Sequence, residues 1–325
     1  MGSHIGVCRK MKTNEGYSLN VMMKVKAFIK NHSWLYSATS HIVAAFYALA
    51  TIISPTLNTK LRYRSAFKKK LNLKNPITFS EKLLWLKLNR YMNDPLVILC
   101  ADKYKVREYV RSCGYQDILN ELIGVYKDPK NILWEQLPNQ FVLKWNFGAG
   151  MNIVCSDKTQ LNQQATIKQL EKWGGDNTCW LSHSEMQYKY IPRVIVCEKY
   201  LEQESARLTD YKVYCFNGKP EAILVMHDRN VGIRSEFFDI EWNDLEMTKY
   251  DKPKLKTAKP KSLDKMLAAA KTLSSPFPFV RVDFFIVDEK LIFGELTFTP
   301  AGGLYMAQTK IKGKDMGEIL TLKEG

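Results

Sequence analysis

The sequence predicts an α+β protein in which a helical N-terminal third precedes a β-rich remainder. Apolar residues recur at helical spacing through roughly the first 120 positions. From about Leu122 onwards, short apolar runs alternate with turn residues, and single helical segments separate them. With 325 residues, 46% of them apolar and 25% charged, the chain is long enough to bury a sizeable core and to form two or three domains.

The N-terminal segment contains one long apolar stretch. Met1–His4 is typical of an expression-vector remnant, and residues 31–59 carry no charged side chain. Within Trp34–Ile53, 15 of 20 residues are apolar, but interrupting hydroxyl groups favour a helix on the protein body or at a membrane surface over a membrane span. The apolar side chains that share one helical stripe are Leu35, Ile42, Phe46, Leu49 and Ile53.

Two further helices are expected before the first strand. Thr78–Leu88 opens with a capping residue and an acid in its first turn, which is typical of a helix N-terminus. A second helix is predicted from about Pro95 to Ser112. After it, β-rich sequence is predicted at Gly124–Asp128 and at Phe141–Asp157, where a strand runs into a loop of small residues. Further strands are predicted at Arg193–Leu201, Asp210–Asp228 and Arg234–Trp242, with an Asn217-Gly218 hairpin turn and helices at residues 159–173 and 263–273.

The most informative stretch is residues 279–300, which predict a hairpin turning at Asp288–Lys290. Because alternate side chains of a strand share a face, Asp283 is expected opposite Glu295, and Arg281 opposite Thr297. Two opposed carboxylates on apolar strands repel each other. A divalent cation between them removes that conflict, and hard oxygen ligands suit Mg²⁺ carrying nucleotide phosphates.

The charge balance is strongly basic. Forty-eight Lys and Arg against 33 Asp and Glu give a net charge of +15. Seven basic residues and no acid lie in Lys60–Lys74, and six basic residues and one acid lie in Lys249–Lys261. Nucleic acid is not favoured, since no helix-turn-helix, zinc-finger or RNP-like pattern occurs. A phosphate-rich nucleotide, an anionic polysaccharide and the cytoplasmic leaflet fit equally well.

The cysteines and histidines exclude several classes of site. Seven cysteines form no CxxC pair, which argues against a disulfide framework and for a reducing cytoplasm. Five histidines show no metal-ligand spacing, and no Ser-His-Asp or Cys-His arrangement is evident.

Three other features carry chemistry: Lys144 before the Gly148-Ala149-Gly150 loop, Glu198-Lys199 at a strand end, and Lys212 in the next strand.

Together these residues resemble the ATP-grasp superfamily, and most closely its TupA-like branch. The resemblance covers about Asn75 to Gly303, and its most specific parts are NPITFSEKLLWLKL, FVLKWN, DYKVYCFNG and FPFVRVDFF…FGELTFTP. It implies an ATP-grasp fold, in which two α+β subdomains clasp ATP, with a helical N-terminal lead-in. The expected divisions are residues 1–60 (tag remnant and apolar helix), 61–121 (helical lead-in with the basic run), 122–195 (lid) and 196–325 (catalytic subdomain).

The resemblance also implies roles for individual residues. By analogy, ATP is bound by Lys103, Lys144, Gly148, Ala149, Gly150, Glu198, Lys199, Tyr200, Leu201, Glu204 (or Glu202, for the ribose) and Lys212. Mg²⁺ is expected on Asp283, Glu295 and Thr297, while Arg281 and Lys212 act in catalysis. Thr297 departs from the superfamily pattern, since many members place Asn two residues after the metal-binding Glu.

The implied activity is that of an ATP-dependent carboxylate–amine ligase working through an acyl phosphate. TupA-like proteins are associated with bacterial surface polymers, so the expected partners are an amino acid and an anionic glycan or lipid-linked saccharide, with peripheral association at the inner face of the cytoplasmic membrane. A glycosyltransferase of surface-polysaccharide assembly is the main alternative, although no DxD pair occurs. A nucleotide-binding protein without activity is a third reading, but Asp283, Glu295 and Lys144 are all present.

Overall fold

A computed structural model describes residues 33–201, 209–227, 234–245, 256–305 and 310–322, with side chains from His41 onwards. The α-helices are α1 (Ser33–Ile53), α2 (Pro55–Phe67), α3 (Phe79–Leu86), α4 (Pro95–Ala101), α5 (Val106–Ser112), α6 (Gln163–Gly174), α7 (Thr178–Leu181), α8 (Leu263–Ser274) and α9 (Met316–Ile319). A π-helical turn, Lys87–Tyr91, continues α3.

The strands form antiparallel sheets, and together with the helices they confirm the predicted α+β class. They are β1 (Leu122–Tyr126), β2 (Phe141–Trp145), β3 (Asn152–Cys155), β4 (Ile195–Lys199), β5 (Asp210–Phe216), β6 (Lys219–His227), β7 (Arg234–Asp239), β8 (Phe279–Val287), β9 (Lys290–Thr297), β10 (Lys310–Ile311) and β11 (Lys314–Asp315). A four-stranded sheet has the order β1-β4-β2-β3, and a five-stranded sheet has the order β7-β6-β5-β8-β9. The expected boundary between residues 195 and 196 falls inside β4, so the chain changes sheets only after Lys199.

The helix starts follow local sequence signals. The Thr78 side chain accepts from the Glu81 backbone N–H, and the Glu81 carboxylate accepts from the Thr78 N–H, which forms the expected capping box of α3. The single helix expected from Pro95 to Ser112 is wrong. Asp102 ends α4 in an extended conformation, and its carboxylate accepts from the backbone N–H groups of Tyr104 and Lys105, which offers those groups an alternative to helical bonding.

Tight turns set the register of the five-stranded sheet. Asn217 and Gly218, both with positive φ, join β5 to β6 as expected. Asp288 and Glu289, also with positive φ, join β8 to β9. Helix α8 covers β5, β6 and β8, and its Met266, Ala269, Ala270 and Leu273 are fully buried. Its bounds agree with the predicted helix at residues 263–273.

Helix α1 packs on the body through a polar contact. The Thr51 hydroxyl bonds Ser184 Oγ at 2.8 Å and accepts from Asn58 Nδ2 at 2.5 Å, and all three residues are buried. The apolar stripe of α1 therefore lies on the opposite side, where Ile42, Phe46, Leu49 and Ile53 are exposed. In the part of the chain that the structure describes, no helix has the length and apolar character needed to cross a bilayer.

Candidate active site

The β8–β9 hairpin brings the predicted acids together. Asp283 pairs with Glu295 and Arg281 pairs with Thr297, in the register expected from strand alternation. The pairing shifts by one residue between Asp283 and Phe284, and Gly294 is the extra, bulged residue that produces this register. A Cβ at Gly294 would lie 2.9 Å from the Asp283 carbonyl oxygen, so a larger residue does not fit there. The glycine is thus required for the two acids to face each other.

Two cations offset the repulsion that was expected between these carboxylates. Arg281 donates from Nε and Nη2 to the two oxygens of Asp283, each at 2.6 Å, in a bidentate pair. Lys212 lies directly opposite Asp283 on β5, and its Nζ donates to Asp283 Oδ2 at 2.7 Å. Asp283 is therefore already neutralised by the protein, and a metal ion is not needed to explain its burial.

The electrostatics of this cluster follow from its burial and its close pairing. Burial favours the neutral form of Asp283, but Arg281 and Lys212 outweigh it and hold the pKa of that carboxyl below its ordinary value. Burial likewise opposes the charge on Arg281, but Asp283 outweighs it and raises the pKa of the guanidinium above its ordinary value. Both groups remain charged at neutral pH.

A second cluster lies on the four-stranded sheet. Lys144 Nζ donates to Glu198 Oε2 at 2.7 Å, and Arg107 Nη1 lies 3.3 Å from Glu198 Oε1. Arg107 also donates to the Asn120 carbonyl oxygen at 2.7 Å. The Glu198 carboxylate therefore orients Lys144. Arg107 was missed in the sequence, because nothing distinguishes it from an ordinary helical arginine.

Asn146, also missed, fixes the turn that carries Lys103. Its Nδ2 donates to Asp102 Oδ1 and to the Pro192 carbonyl oxygen, each at 2.9 Å, and its Oδ1 accepts from the Val194 N–H at 3.0 Å. Its backbone carbonyl accepts from the Lys103 N–H at 2.9 Å. The side chain is fully buried. The break between α4 and α5 is thereby anchored to the four-stranded sheet.

Lys103 connects the glycine loop with the hairpin. Its Nζ donates to the Gly148 carbonyl oxygen at 2.5 Å and lies 3.9 Å from Glu295 Oε2. Burial lowers the pKa of the ammonium, and Glu295 partly compensates for this. Gly148 and Gly150 both have positive φ, so the loop adopts a backbone shape that glycine tolerates best.

One cavity of about 390 Å³ is bordered by both sheets. The predicted residues that line it are Lys103, Lys144, Gly148, Ala149, Gly150, Glu198, Lys199, Tyr200, Leu201, Lys212, Asp283 and Glu295. Arg281 and Thr297 do not line this cavity but border the next one. Glu204, like Glu202, lies outside the described residues. The roles of these residues stay predictions, but their assembly around one space is a property of the fold.

A second cavity of about 620 Å³ adjoins the first, and Lys103, Gly148, Ala149 and Glu295 border both. Arg62, from α2, reaches its wall, donating to the Ser182 carbonyl oxygen at 3.1 Å and to His183 Nδ1 at 3.3 Å. Burial, together with Arg62 and Lys87, lowers the pKa of His183 to about 4. Burial also raises the pKa of Glu185, whose carboxylate accepts from the Thr299 hydroxyl.

A profile described as TupA-like ATPgrasp matches residues 81–320, which are 240 of the 325 residues. The chain belongs to the TupA-like ATP-grasp family. This confirms the resemblance and the ATP-grasp fold expected from the sequence. The match begins at Glu81, so α1 and α2, including Arg62, lie before it.

Solved structures with significant similarity include ATP-grasp enzymes. A D-alanine–D-alanine ligase from Bacillus anthracis complexed with ATP is 14% identical, with a TM-score of 0.35, over 62% of this chain and 54% of that one. The ADP complex of an N5-carboxyaminoimidazole ribonucleotide synthetase is 14% identical, with a TM-score of 0.40, over 67% and 50%. The chain thus spans about half the length of these structures. No curated protein is significantly similar in sequence.

The hairpin acids of this ATP-grasp protein fit a magnesium ion that is shared with nucleotide phosphates. The Glu295 side chain is 41% exposed, and its nearest cationic nitrogens, on Lys103 and Arg281, are 3.9 Å away, so carboxylate positions remain open. Among the described residues, no three His, Cys, Asp or Glu side chains form a metal-binding group. Mg²⁺ commonly takes one or two protein carboxylates and completes its shell with water and phosphate. Asp283 and Glu295 match this number of protein carboxylates, and the Thr297 hydroxyl offers a further oxygen ligand.

Asn146→Leu is expected to weaken ATP binding and stability together. It removes two donors and one acceptor from buried partners, which costs about 1–3 kcal/mol for each group left unpaired. Because Lys103 loses its anchor, we expect the KM for ATP to rise about tenfold, which corresponds to about 1.4 kcal/mol. Urea unfolding and steady-state kinetics measure the two effects.

Asn89→Leu is the matched control for this change, since the exposed Asn89 amide bonds only the Trp85 carbonyl oxygen, one turn earlier, among the residues that the structure describes. It should leave both quantities unchanged. An Asn146→Leu protein with a normal KM for ATP would show that the backbone bond alone positions Lys103.

Proposed function

We propose that the protein is an ATP-dependent carboxylate–amine ligase that works through an acyl phosphate. The observation that carries the proposal is the junction of the two cavities at Lys103, the Gly148-Ala149 loop and Glu295. A nucleotide in the first cavity places its terminal phosphate at this junction. A carboxylate in the second cavity then meets that phosphate without crossing solvent.

The first cavity suits the nucleotide because its two ends differ in chemistry. Lys103, Lys144 and Lys212 provide three cationic groups, and the glycine loop allows close approach of phosphate oxygens. The connection after β4, with Tyr200 and Leu201, offers an apolar surface and backbone groups for adenine. Glu204, or Glu202, is proposed as the ribose ligand.

The proposed reaction has two steps. A substrate carboxylate oxygen attacks the γ-phosphorus of ATP, and the bond to ADP breaks, which leaves an acyl phosphate. A neutral amine then attacks the acyl carbon, phosphate leaves with the bonding electron pair, and the amide nitrogen loses a proton. Mg²⁺, when bound at Asp283, Glu295 and Thr297, supplies charge neutralisation for the phosphate oxygens.

Arg281 is proposed to stabilise the charge that develops at the junction. Its Nε and Nη2 donate to Asp283 and Thr297, and the side chain borders the second cavity, where the carboxylate is proposed to bind. The bidentate bond to Asp283 fixes the plane of the guanidinium before substrate binds. Preorganised donors of this kind lower the barrier because they need no reorganisation during the reaction.

The second cavity is proposed to hold the carboxylate and the amine. Arg62 and Arg281 offer cationic contacts for carboxylates, while Asp176 and Glu185 offer anionic contacts for an ammonium group. This mixture suits an amino acid together with a uronic-acid carboxylate. The TupA-like resemblance and the basic runs support an anionic glycan or a lipid-linked saccharide as the acceptor. The product is then an amide on a bacterial surface polysaccharide.

Phosphate release from ATP, measured across amino acids and uronic-acid acceptors, tests the proposal. We expect release that requires both an acceptor and an amine, and we expect Glu295→Gln to lower kcat by about a hundredfold, since Asp283 is retained. Glu289→Gln is the matched control, because Glu289 lies at the exposed tip of the same hairpin and pairs only with Lys261 among the described contacts. Hydrolysis of nucleotide sugars with no ATP turnover would instead support the glycosyltransferase alternative.

A further inference from the structure

The outer side of α1 is an exposed apolar surface. Its members, which we call the apolar face, are Ile42, Phe46, Leu49, Ile52 and Ile53, each 55–69% exposed. Residues 42, 46, 49 and 53 recur at helical spacing and form one continuous stripe. Nothing in the described part of the chain covers this stripe, and contiguous exposed apolar surfaces of this kind mark interaction sites.

The orientation of α1 is fixed by the polar contact on its inner side. Thr51 bonds Ser184 and Asn58, and the Ser182 hydroxyl donates to the Ala44 carbonyl oxygen at 3.4 Å. Rotating the helix to bury the apolar face would therefore break a buried hydrogen-bond network. These hydrogen bonds therefore hold the apolar face on the outside of the fold.

Helix α2 packs against α1, and its exposed side is basic. Leu57, Lys60 and Arg64 recur at helical spacing, and all three are exposed. The exposed lysines 68, 69, 70 and 74 follow directly. No acidic residue occurs between Ser33 and Ser80. The two helices together therefore present apolar and cationic groups with no opposing charge of their own.

We propose that α1 and α2 dock the protein on the surface of an anionic lipid bilayer, with the apolar face entering the boundary between headgroups and acyl chains. A bilayer surface supplies both an apolar layer and negative charge at the same place, whereas a nucleic acid or a glycan supplies only the charge. The proposal commits to peripheral docking, and it does not depend on the proposed ligase activity.

Vesicle flotation of the full chain tests this proposal. Phosphatidylcholine vesicles are compared with vesicles that also contain about 30% phosphatidylglycerol, and we expect binding at least about tenfold tighter to the anionic vesicles. Phe46→Asp/Leu49→Asp should abolish binding to both. Lys69→Glu/Lys70→Glu/Lys74→Glu should lower binding to the anionic vesicles about tenfold or more.

Two matched controls test whether any loss of vesicle binding depends on α1 and the basic residues after it, or follows from any similar change in polarity or charge elsewhere on the protein. Leu133→Asp/Tyr190→Asp changes two exposed side chains elsewhere, and Lys168→Glu/Lys172→Glu/Lys271→Glu repeats the charge change on α6 and α8. Both should bind like wild type, and an unchanged unfolding midpoint shows that each variant is folded. Equal or absent binding to both vesicle types overturns the proposal. So does a dimer that Phe46→Asp/Leu49→Asp dissociates without any vesicle binding, since it assigns the apolar face to a second copy.

Discussion

Asp283→Asn is expected to lower kcat by about a thousandfold or more, which corresponds to about 4 kcal/mol of lost transition-state stabilisation. The substitution removes a proposed magnesium ligand and the anion that fixes the Arg281 guanidinium. It also removes the nearer of the two carboxylates beside Lys212, since Asp210 lies 3.6 Å from the Lys212 ammonium and Asp283 lies 2.7 Å from it. A single change therefore disturbs the proposed metal site, the proposed charge stabiliser and a lysine proposed to bind phosphate at once.

The same substitution should destabilise the fold strongly. The side chains of Lys212, Asp283 and Arg281 are 4%, 5% and 13% exposed, so both cations would remain buried without their closest anion. The next carboxylates are farther away, with Asp210 at 3.6 Å from Lys212 and Glu295 at 3.9 Å from Arg281. Breaking a buried pair in this way costs about 3–5 kcal/mol. Because the pKa of Asp283 is lowered in the fold, its contribution is present at neutral pH and is lost as the pH falls through that lowered value. The difference between wild type and variant should shrink accordingly in acid.

A double variant separates the effect on stability from the effect on catalysis. Asp283→Asn/Lys212→Met removes one of the two cations that have lost their closest anion, so part of the lost unfolding free energy should return while activity stays lost. Asp264→Asn, an exposed acid on α8, is the control and should change neither quantity. Urea unfolding and phosphate release provide the two measurements. An Asp283→Asn protein that retained wild-type turnover would reduce Asp283 to a structural counter-ion.

The hairpin shows how far strand alternation alone can predict a site. The pairs Asp283–Glu295 and Arg281–Thr297 follow from the twofold period of side chains once a turn near Glu289 is assumed. The actual turn is centred between Asp288 and Glu289, because Val287 pairs with Lys290, whereas the predicted turn is centred on Glu289. Without a bulge, this difference would shift every predicted pair by one residue. The bulge at Gly294 compensates for that shift. The predicted register was thus correct for the site, although the bulge was not foreseen.

Contacts between distant parts of the chain account for what the sequence did not reveal. Arg107 and Glu198 are 91 positions apart, and Asn146 and Asp102 are 44 positions apart. No periodic pattern relates such residues, because helix and strand signals describe neighbours only within one element. The break at Asp102 was missed for the same reason, since the Asn146 amide that holds it comes from the β2–β3 connection. Asn146 does stand in the quoted FVLKWN motif, which was the one available signal.

The direction of α1 was also hidden from the sequence. Its apolar stripe predicted a helix, and an apolar stripe ordinarily faces the body of the protein. Here the body offers Asn58 and Ser184 to that helix, so Thr51 turns inward and the stripe turns outward. A stripe identifies which residues share a side, but only the packing partner decides which side is buried.

Arg281→Lys is expected to lower kcat by about a hundredfold to a thousandfold while changing the KM for ATP less than about threefold. The guanidinium makes two bonds to Asp283 and one to the Thr297 hydroxyl at 3.0 Å, and the Arg281 side chain also borders the second cavity. A lysine keeps the charge but has one compact donor group, so it cannot hold Asp283 in a bidentate pair and face the substrate at the same time. Because the buried charge is kept, stability should fall far less than in Asp283→Asn.

Single-turnover kinetics show which chemical step the Arg281→Lys substitution slows. If Arg281 stabilises charge at the transferring phosphoryl group and the acyl phosphate, Arg281→Lys should slow acceptor-dependent ADP formation as much as it slows amide formation. Arg111→Lys, an exposed arginine on α5, makes the same chemical change away from both cavities and should leave both rates unchanged. A rise in the KM for ATP of about tenfold or more with normal kcat would assign Arg281 to nucleotide binding instead. The ratio of the two effects therefore distinguishes a group that acts on the reacting atoms from one that only holds the nucleotide.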